Sequence, residues 1–212
     1  MKVVSLDLDG TLIHPAIFNV VADALGFGAP LRVSYAAYVA GTMTLEAAYR
    51  HDFPFFVGRS VDECRRVLRE TKAWTPGIRK GIEAMRGAGL TVILTTDQPE
   101  FLARAAVDLG VQDLVCSPCR LHAGRVTEDL DLRLDKWANL QAWLAANGVE
   151  PSEVTHVGNG ANDIPVFQRV GYSIAVNPSS AAVSNAADDV VDPLLDLRQV
   201  ADLVLARRGA LR

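Results

Sequence analysis

The chain has few cysteines, no long apolar run and no block of like charge, and each shortage removes a class of protein. Three cysteines, Cys64, Cys116 and Cys119, are too few and too scattered for a disulfide framework. No stretch approaches the roughly 18 consecutive apolar residues of a transmembrane helix. The opening MKVVSLDLDG carries Asp7 and Asp9 and no apolar h-region, which predicts that it is no signal peptide. Lysine and arginine number 21 against 25 acids, a net charge of −4 with the signs interspersed. The basic face of a nucleic-acid binder and the polybasic anchor of a membrane-surface protein are therefore both missing. Fixed-period repeats and low-complexity tracts are absent too, and no histidine spacing suggests zinc. These exclusions predict a soluble, cytoplasmic globular protein with no nucleic-acid or membrane partner. Its oligomeric state does not follow from the sequence, with which a monomer is compatible.

Half of the 212 residues are apolar, enough to bury one core carrying a modest insertion. Short runs rich in Val and Ile recur at Val3–Leu6, Leu90–Leu94, Val154–Val157 and Tyr172–Val176. Their nearly unbroken apolarity predicts strands buried on both faces, as in a parallel sheet. Helical patterns lie between them. Pro76 stands where a first turn permits it, Ile78, Ile82 and Met85 form a stripe, and Gly87 and Gly89 close it. A second stripe is Leu102, Ala105, Ala106 and Leu109, ending at Gly110; a third is Trp137, Leu140 and Leu144 behind the cap Asp135. This alternation predicts an α/β fold, a doubly wound parallel sheet.

Residues 13–73 interrupt the pattern without a convincing strand. Ile17, Val20, Val21, Ala24 and Leu25 form a helical stripe stopped by Gly26. Ser60-Val61-Asp62-Glu63 is a capping box ahead of Cys64, Val67 and Leu68. The segment reads as a small α-helical cap inserted after the first strand, with 1–12 and 74–212 forming the core. Cys119–His122 and Arg125–Glu128, either side of Ala123-Gly124, predict a hairpin.

Ligands of open α/β sheets bind beyond the carboxyl ends of the strands. The first run leads into Asp7-Leu8-Asp9-Gly10-Thr11, two carboxylates on one side followed by a glycine that lets the backbone turn. The second leads into Thr95-Thr96-Asp97, and the third into Gly158-Asn159-Gly160-Ala161-Asn162-Asp163, with Lys136 opening the preceding helix. Singly, each has a bland reading as a turn, a cap or a surface charge. Together, acids, a hydroxyl, a lysine and carboxamides suit a hard cation beside a phosphate.

In order and spacing these residues resemble the four motifs of the haloacid dehalogenase superfamily. The likeness is to its phosphoserine-phosphatase-like branch with a small helical cap, and it covers nearly the whole chain. Asp7-Leu-Asp9-Gly-Thr11-Leu12 matches the first motif, Thr96 the second, Lys136 the third, and Gly158–Asp163 with Ile164-Pro165 the fourth. Lys136 precedes Gly158 by 22 residues, as is typical there. The resemblance implies a Mg²⁺-dependent phosphomonoesterase acting on a small-molecule phosphate ester. Asp7 would be the nucleophile and Asp9 the general acid and base, with Thr96 and Lys136 holding phosphoryl oxygens. An acid at position 9 favours a phosphatase over a dehalogenase, whose leaving group needs no proton. The implied phosphate-binding set is Asp7, Gly10, Thr96, Asp97, Lys136 and Asn162. The implied metal set is Asp7, Asp9, Asn159 and Asp163.

The chain departs from that pattern in two ways. The fourth motif normally opens Gly-Asp; Asn159 keeps an oxygen ligand and gives up a charge. Asp163 remains, as ligand or as a partner of Lys136. Asn159 supports one alternative, a weakly active or inactive module that binds a phosphorylated ligand; another is a phosphotransferase passing the aspartyl-phosphate to an acceptor other than water. The phosphoserine pocket is also missing. Ala16 stands where an acid holds the substrate amine, Asp52 falls near the position of an arginine that holds its carboxylate, and Asp97-Gln98 replaces Gly-Gly. Phosphoserine is thus not the expected substrate. The cap offers Tyr35, Tyr38, Tyr49, Phe53, Phe55 and Phe56, mostly as its own core, with Arg50, His51 and Asp52 among them. His14 could line the entrance, whereas His51, His122 and His156 read as structural. Cys116-Ser-Pro-Cys119 has redox spacing but enters a hairpin, and is expected to be two reduced thiols. Gly158-x-Gly160 lacks the rest of a dinucleotide fingerprint.

Overall fold

The computed structural model describes residues 1–210. Six parallel strands form one sheet: β1 (Val3–Leu6), β2 (Thr91–Pro99), β3 (Asp113–Ser117), β6 (Val154–Gly158), β7 (Tyr172–Val176) and β8 (Asp189–Val191). β4 (Cys119–His122) and β5 (Arg125–Leu130) make the separate antiparallel hairpin expected from Ala123-Gly124. The sheet order is β3-β2-β1-β6-β7-β8, so the chain winds outward in both directions from β1. The switch point, where such sheets bind ligands, falls at the carboxyl ends of β1, β2 and β6.

Strand alternation divides the core into two layers. Val4, Leu6, Val92 and Leu94 face one side, where α5 (Ile78–Gly87) and α10 (Arg198–Ala210) supply Ile82, Met85, Val200 and Val204. Val3, Ile93, Val115 and Val154 face the other, covered by Leu140 and Leu144 of α7 (Lys136–Asn147) and Val166 of α8 (Ile164–Phe167). A short helix, α9 (Ala181–Ala186), packs its Val183 against Phe167 and Ala175.

The insertion folds as α1 (Ile17–Ala24), α2 (Gly28–Val39), α3 (Leu45–Asp52) and α4 (Val61–Glu70), with a 3-10 turn at Phe53–Phe56. Thr44 caps α3 and Ser60 caps α4, each accepting a main-chain N–H three residues on. The chain leaves and re-enters the core side by side: Ile13 bridges Trp74, and the His14 N–H donates to the Ala73 carbonyl at 3.0 Å. A second attachment joins the loop before α4 to the hairpin, through Gly58 N–H to the Val126 carbonyl (2.8 Å) and Val126 N–H to the Arg59 carbonyl (3.1 Å). Phe18, Phe53 and Phe56 of the insertion share one apolar cluster with the core, and the Phe56 ring lies 5.8 Å from that of Phe101.

Several expectations are corrected. β3 and β8 carry Asp113 and Asp189 at their starts and lie toward the sheet edges, so neither shows the unbroken apolar run of a central strand. β2 continues past Leu94 to Pro99, with the polar residues Thr95, Thr96, Asp97 and Gln98 buried in its end. Pro76 lies before α5; Gly77, in the left-handed region at φ +68°, stands between. The stripe Leu102–Leu109 is one α turn, α6 (Glu100–Ala103), followed by a 3-10 segment. Among the described residues no helix is long and apolar enough to cross a membrane.

Candidate active site

Each predicted segment reaches the switch point. Gly10, at φ +80°, turns the loop after β1 so that its N–H meets the Ile13 carbonyl at 2.8 Å. A Cβ at Gly10 would sit 2.0 Å from Asn159 Nδ2, so the loops after β1 and β6 are in direct contact here. Lys136 opens α7, whose start is fixed by the Asp135 carboxylate accepting the Ala138 N–H at 2.9 Å.

Lys136 is buried, and its ammonium donates to Asp7 Oδ1 (2.8 Å) and Asp163 Oδ1 (2.5 Å). Burial alone would pull the lysine down; Asp163 and Asp7 outweigh it and hold the ammonium above the ordinary lysine range. Asp7 is pushed up to about 8, because burial and the nearby Asp163 outweigh Lys136. Asp163 goes the other way: despite burial, Lys136 and His156 hold it well below the usual carboxylate range.

Every lone-pair direction of Asp163 is occupied. Oδ1 also meets His156 Nε2 (3.0 Å), and Oδ2 accepts the N–H groups of Asn159 (2.9 Å) and Gly160 (2.8 Å). His156 Nδ1 lies 2.9 Å from Ser5 Oγ, which lies 2.7 Å from Thr95 Oγ1. Burial lowers His156, so the imidazole is neutral. Its Nε2–H then donates to Asp163, while Nδ1 accepts from Ser5 and Ser5 accepts from Thr95. A buried polar line thus runs from β2 through β1 and β6 to the Lys136–Asp7 pair.

Asp9 stands apart from that line. Its Oδ1 accepts the Ile17 N–H (2.6 Å), and its Oδ2 accepts from Gln98 Nε2 (2.5 Å). Burial pushes Asp9 up to about 6, against the restraint of those two donors. Thr96 Oγ1 accepts the Gln98 N–H at 3.3 Å, which leaves its own O–H to donate. Asp97 Oδ2 accepts from Asn162 Nδ2 at 2.7 Å, and burial pushes this carboxyl up as well. Three atoms of these loops are buried without a partner: Thr11 Oγ1, Asp97 Oδ1 and Gln98 Oε1.

The nine residues expected at the site therefore lie on the loops and helix end that meet here. Sequence reasoning missed Gln98 as a partner of Asp9 and His156 as a partner of Asp163. The signal for His156 was a polar residue inside an apolar strand. His14 is exposed at the surface. Asp52 is buried in the insertion, bonded to Ser34 Oγ (2.6 Å) and His51 Nδ1 (2.7 Å). Tyr38 and Tyr49 are raised by burial and then by the Asp97 charge. Tyr49 also lines a cleft of about 580 Å³ between the insertion and the hairpin, with Arg50, Phe53, Glu128 and Leu130. Cys116 and Cys119 are free thiols that burial pushes up to about 12 and about 11, so neither is a reactive thiolate.

The family model of haloacid dehalogenase-like hydrolases matches residues 4–168. The chain belongs to that family. This hydrolase is 26% identical over 212 residues to a phosphoserine phosphatase of Albidiferax ferrireducens, covering 93% of this chain and 90% of the relative. It is 26% identical to that of Lactococcus lactis, over 80% of this chain and 81% of the other. A substrate-bound phosphoserine phosphatase structure superposes with a TM-score of 0.78 at 19% identity, covering 96% of this chain and 98% of that one. The hydrolase thus falls in the phosphoserine-phosphatase-like branch, among relatives named phosphoserine phosphatase, and shares their α/β fold.

Proposed function

We propose that this hydrolase is a phosphomonoesterase for a small phosphorylated metabolite and works through an aspartyl-phosphate on Asp7. The observation that carries the reading is the division of labour among buried carboxylates. Lys136 grips one oxygen of Asp7 and aims the other, while Asp9 is held by separate donors with a proton affinity near neutrality. In the first step an Asp7 oxygen bonds to phosphorus and the bond to the leaving oxygen breaks, Asp9 giving that oxygen its proton. In the second, Asp9 takes a proton from water, which attacks phosphorus and releases phosphate and Asp7. Lys136, the Thr96 hydroxyl, the second N–H of the Asn162 amide and the Asp97 main-chain N–H hold the phosphoryl oxygens, while the Gly10 N–H is taken by the Ile13 carbonyl.

Asp7, Asp9, Asp97 and Asp163 face a single ammonium, Lys136, so a phosphate dianion needs a further positive charge here. The donors that remain are a free oxygen of Asp7, the Asp9 main-chain carbonyl and the Asn159 carboxamide, hard oxygens that fit Mg²⁺ completed by water. Among the described residues no three His, Cys, Asp or Glu converge as a metal cluster. Asp163, filled by Lys136, His156 and two N–H groups, serves the lysine. When bound, Mg²⁺ would neutralise phosphoryl charge and counter the burial that raises Asp7.

We take residues 13–73 as a cap over the core, setting the leaving group. Phosphoserine lies outside its range on this reading, since Ala16 offers no acid and Asp52 offers no cation. We place the enzyme in the cytoplasm, in keeping with three unpaired thiols. The uncharged Asn159 favours a second reading, a feeble module that binds a phosphorylated ligand. The test is hydrolysis of p-nitrophenyl phosphate and a panel of metabolite phosphates, with Mg²⁺ and with EDTA. Metal-dependent turnover lost in Asp7→Asn by roughly 10⁴-fold or more supports the phosphatase. No turnover on any substrate, or full activity in Asp7→Asn, refutes it.

A further inference from the structure

Asp97 has an acceptor with nothing to accept. The residue is 5% exposed, its Oδ2 is held by Asn162, and its Oδ1 is buried without any partner. An unpaired buried carboxylate oxygen is costly, and a folded chain that keeps one invites a donor from outside. The atom's surroundings say which donor. Asp97 follows Thr96 directly at the carboxyl end of β2, and its bond to Asn162 ties it to the loop after β6, so it stands where the site loops meet. Lys136 is committed to Asp7 and Asp163, and Arg50, beside Tyr49, to Glu46 at 2.7 Å. A second unpaired acceptor, Gln98 Oε1, lies at the same strand end. A group with several donors and no lone pair fits all of this, and that is an ammonium.

We propose that Asp97 Oδ1 receives a primary ammonium on the leaving group, so that the preferred substrates are monophosphates of amino alcohols without a carboxylate. This rests on the phosphatase reading and names the substrate class of that site. Asp52, bonded to Ser34 and His51, leaves a substrate carboxylate without a partner there, which separates this class from phosphoserine.

The test compares 2-aminoethyl phosphate with propyl phosphate, in the native enzyme and in Asp97→Asn, with p-nitrophenyl phosphate as the activity control. The ratio of kcat/KM between the two alkyl esters is divided by the variant's own ratio, which cancels both their intrinsic reactivity and any general loss. A factor of ~10–100 is expected, the worth of a charge-assisted hydrogen bond to a buried group. A factor near 1 overturns the assignment to Asp97. An independent arm needs no variant: 3-aminopropylphosphonate should inhibit native p-nitrophenyl phosphate turnover at a concentration ~10–100-fold lower than butylphosphonate. Equal inhibition overturns the proposal while the phosphatase reading stands; absence of all turnover overturns both.

Discussion

Gln98 is the residue whose replacement reads out the acid most directly. Its Nε2 donates to Asp9 Oδ2, and that bond favours the ionised carboxylate. Gln98→Leu keeps the volume and removes the donor. A hydrogen bond to a charged group is worth about 1.5–3 kcal/mol, and one pKa unit is about 1.4 kcal/mol, so Asp9 should rise by about 1–2 units from its value near 6. The sign follows from the mechanism. kcat/KM reports phosphoryl transfer to Asp7, the step in which Asp9 gives up its proton. A higher pKa keeps that proton in place to higher pH, so the alkaline limb for an alkyl phosphate should move upward by about one unit or more. The ester's own second ionisation, also near pH ~6, is common to both enzymes, which makes the difference between them the measurement. p-Nitrophenolate leaves without a proton, and its alkaline limb should stay. An unmoved limb for the alkyl ester, or equal movement for both esters, refutes the role assigned to Asp9 and its support by Gln98.

Gly158→Ala would place a Cβ 2.3 Å from the Asp163 carboxyl carbon; urea unfolding should show a loss of about 1–3 kcal/mol, accompanied by reduced turnover. Asn159→Asp restores a charge beside the loop of Asp7, and the Mg²⁺ concentration giving half-maximal activity should fall roughly tenfold, about 1.4 kcal/mol. An unchanged requirement would remove Asn159 from the cation's surroundings. His156 stays neutral in the folded protein because burial lowers it, whereas the unfolded chain takes up the proton below pH ~6.5. The unfolded state then binds more protons, so this residue costs stability as pH falls from 7 to 5. The stability gap between native protein and His156→Gln should narrow over that interval, and a constant gap would contradict a buried neutral imidazole.

The core was legible where burial is two-sided. Val3–Leu6, Val154–Val157 and Tyr172–Val176 are mostly apolar because helices cover both faces, and the structure places strands there. β3 and β8 were not legible, since Asp113 and Asp189 at their starts break the apolar pattern that marks the central strands. The motif residues could be read in order because the chemistry needs particular side chains at strand ends. Their supporting partners were harder to read. Gln98 and Asp9 are 89 residues apart, Ser5 and His156 are 151 apart, and only the sheet order brings each pair together. Asp163 was legible as a site residue and ambiguous in its task until its four hydrogen bonds were seen.

The bond from the Ile17 N–H to Asp9 links the proposed acid to the inserted segment in an unexpected way. α1 begins at Ile17, and Ala16 before it has no side chain to satisfy the first free N–H groups of a helix. Asp9, from the core, performs that task for a helix of the cap. Its charge also meets the positive end of the helix dipole, an interaction worth about 0.3–1 kcal/mol that weakens when the carboxylate is protonated. On the proposed mechanism Asp9 passes through both charge states in each turnover, and the anchoring of α1 would then tighten and slacken in step with the proton. A loosely anchored α1 when Asp9 holds its proton, and a firm one after the proton has gone to the leaving group, would make the first cap helix a mechanical follower of the reaction.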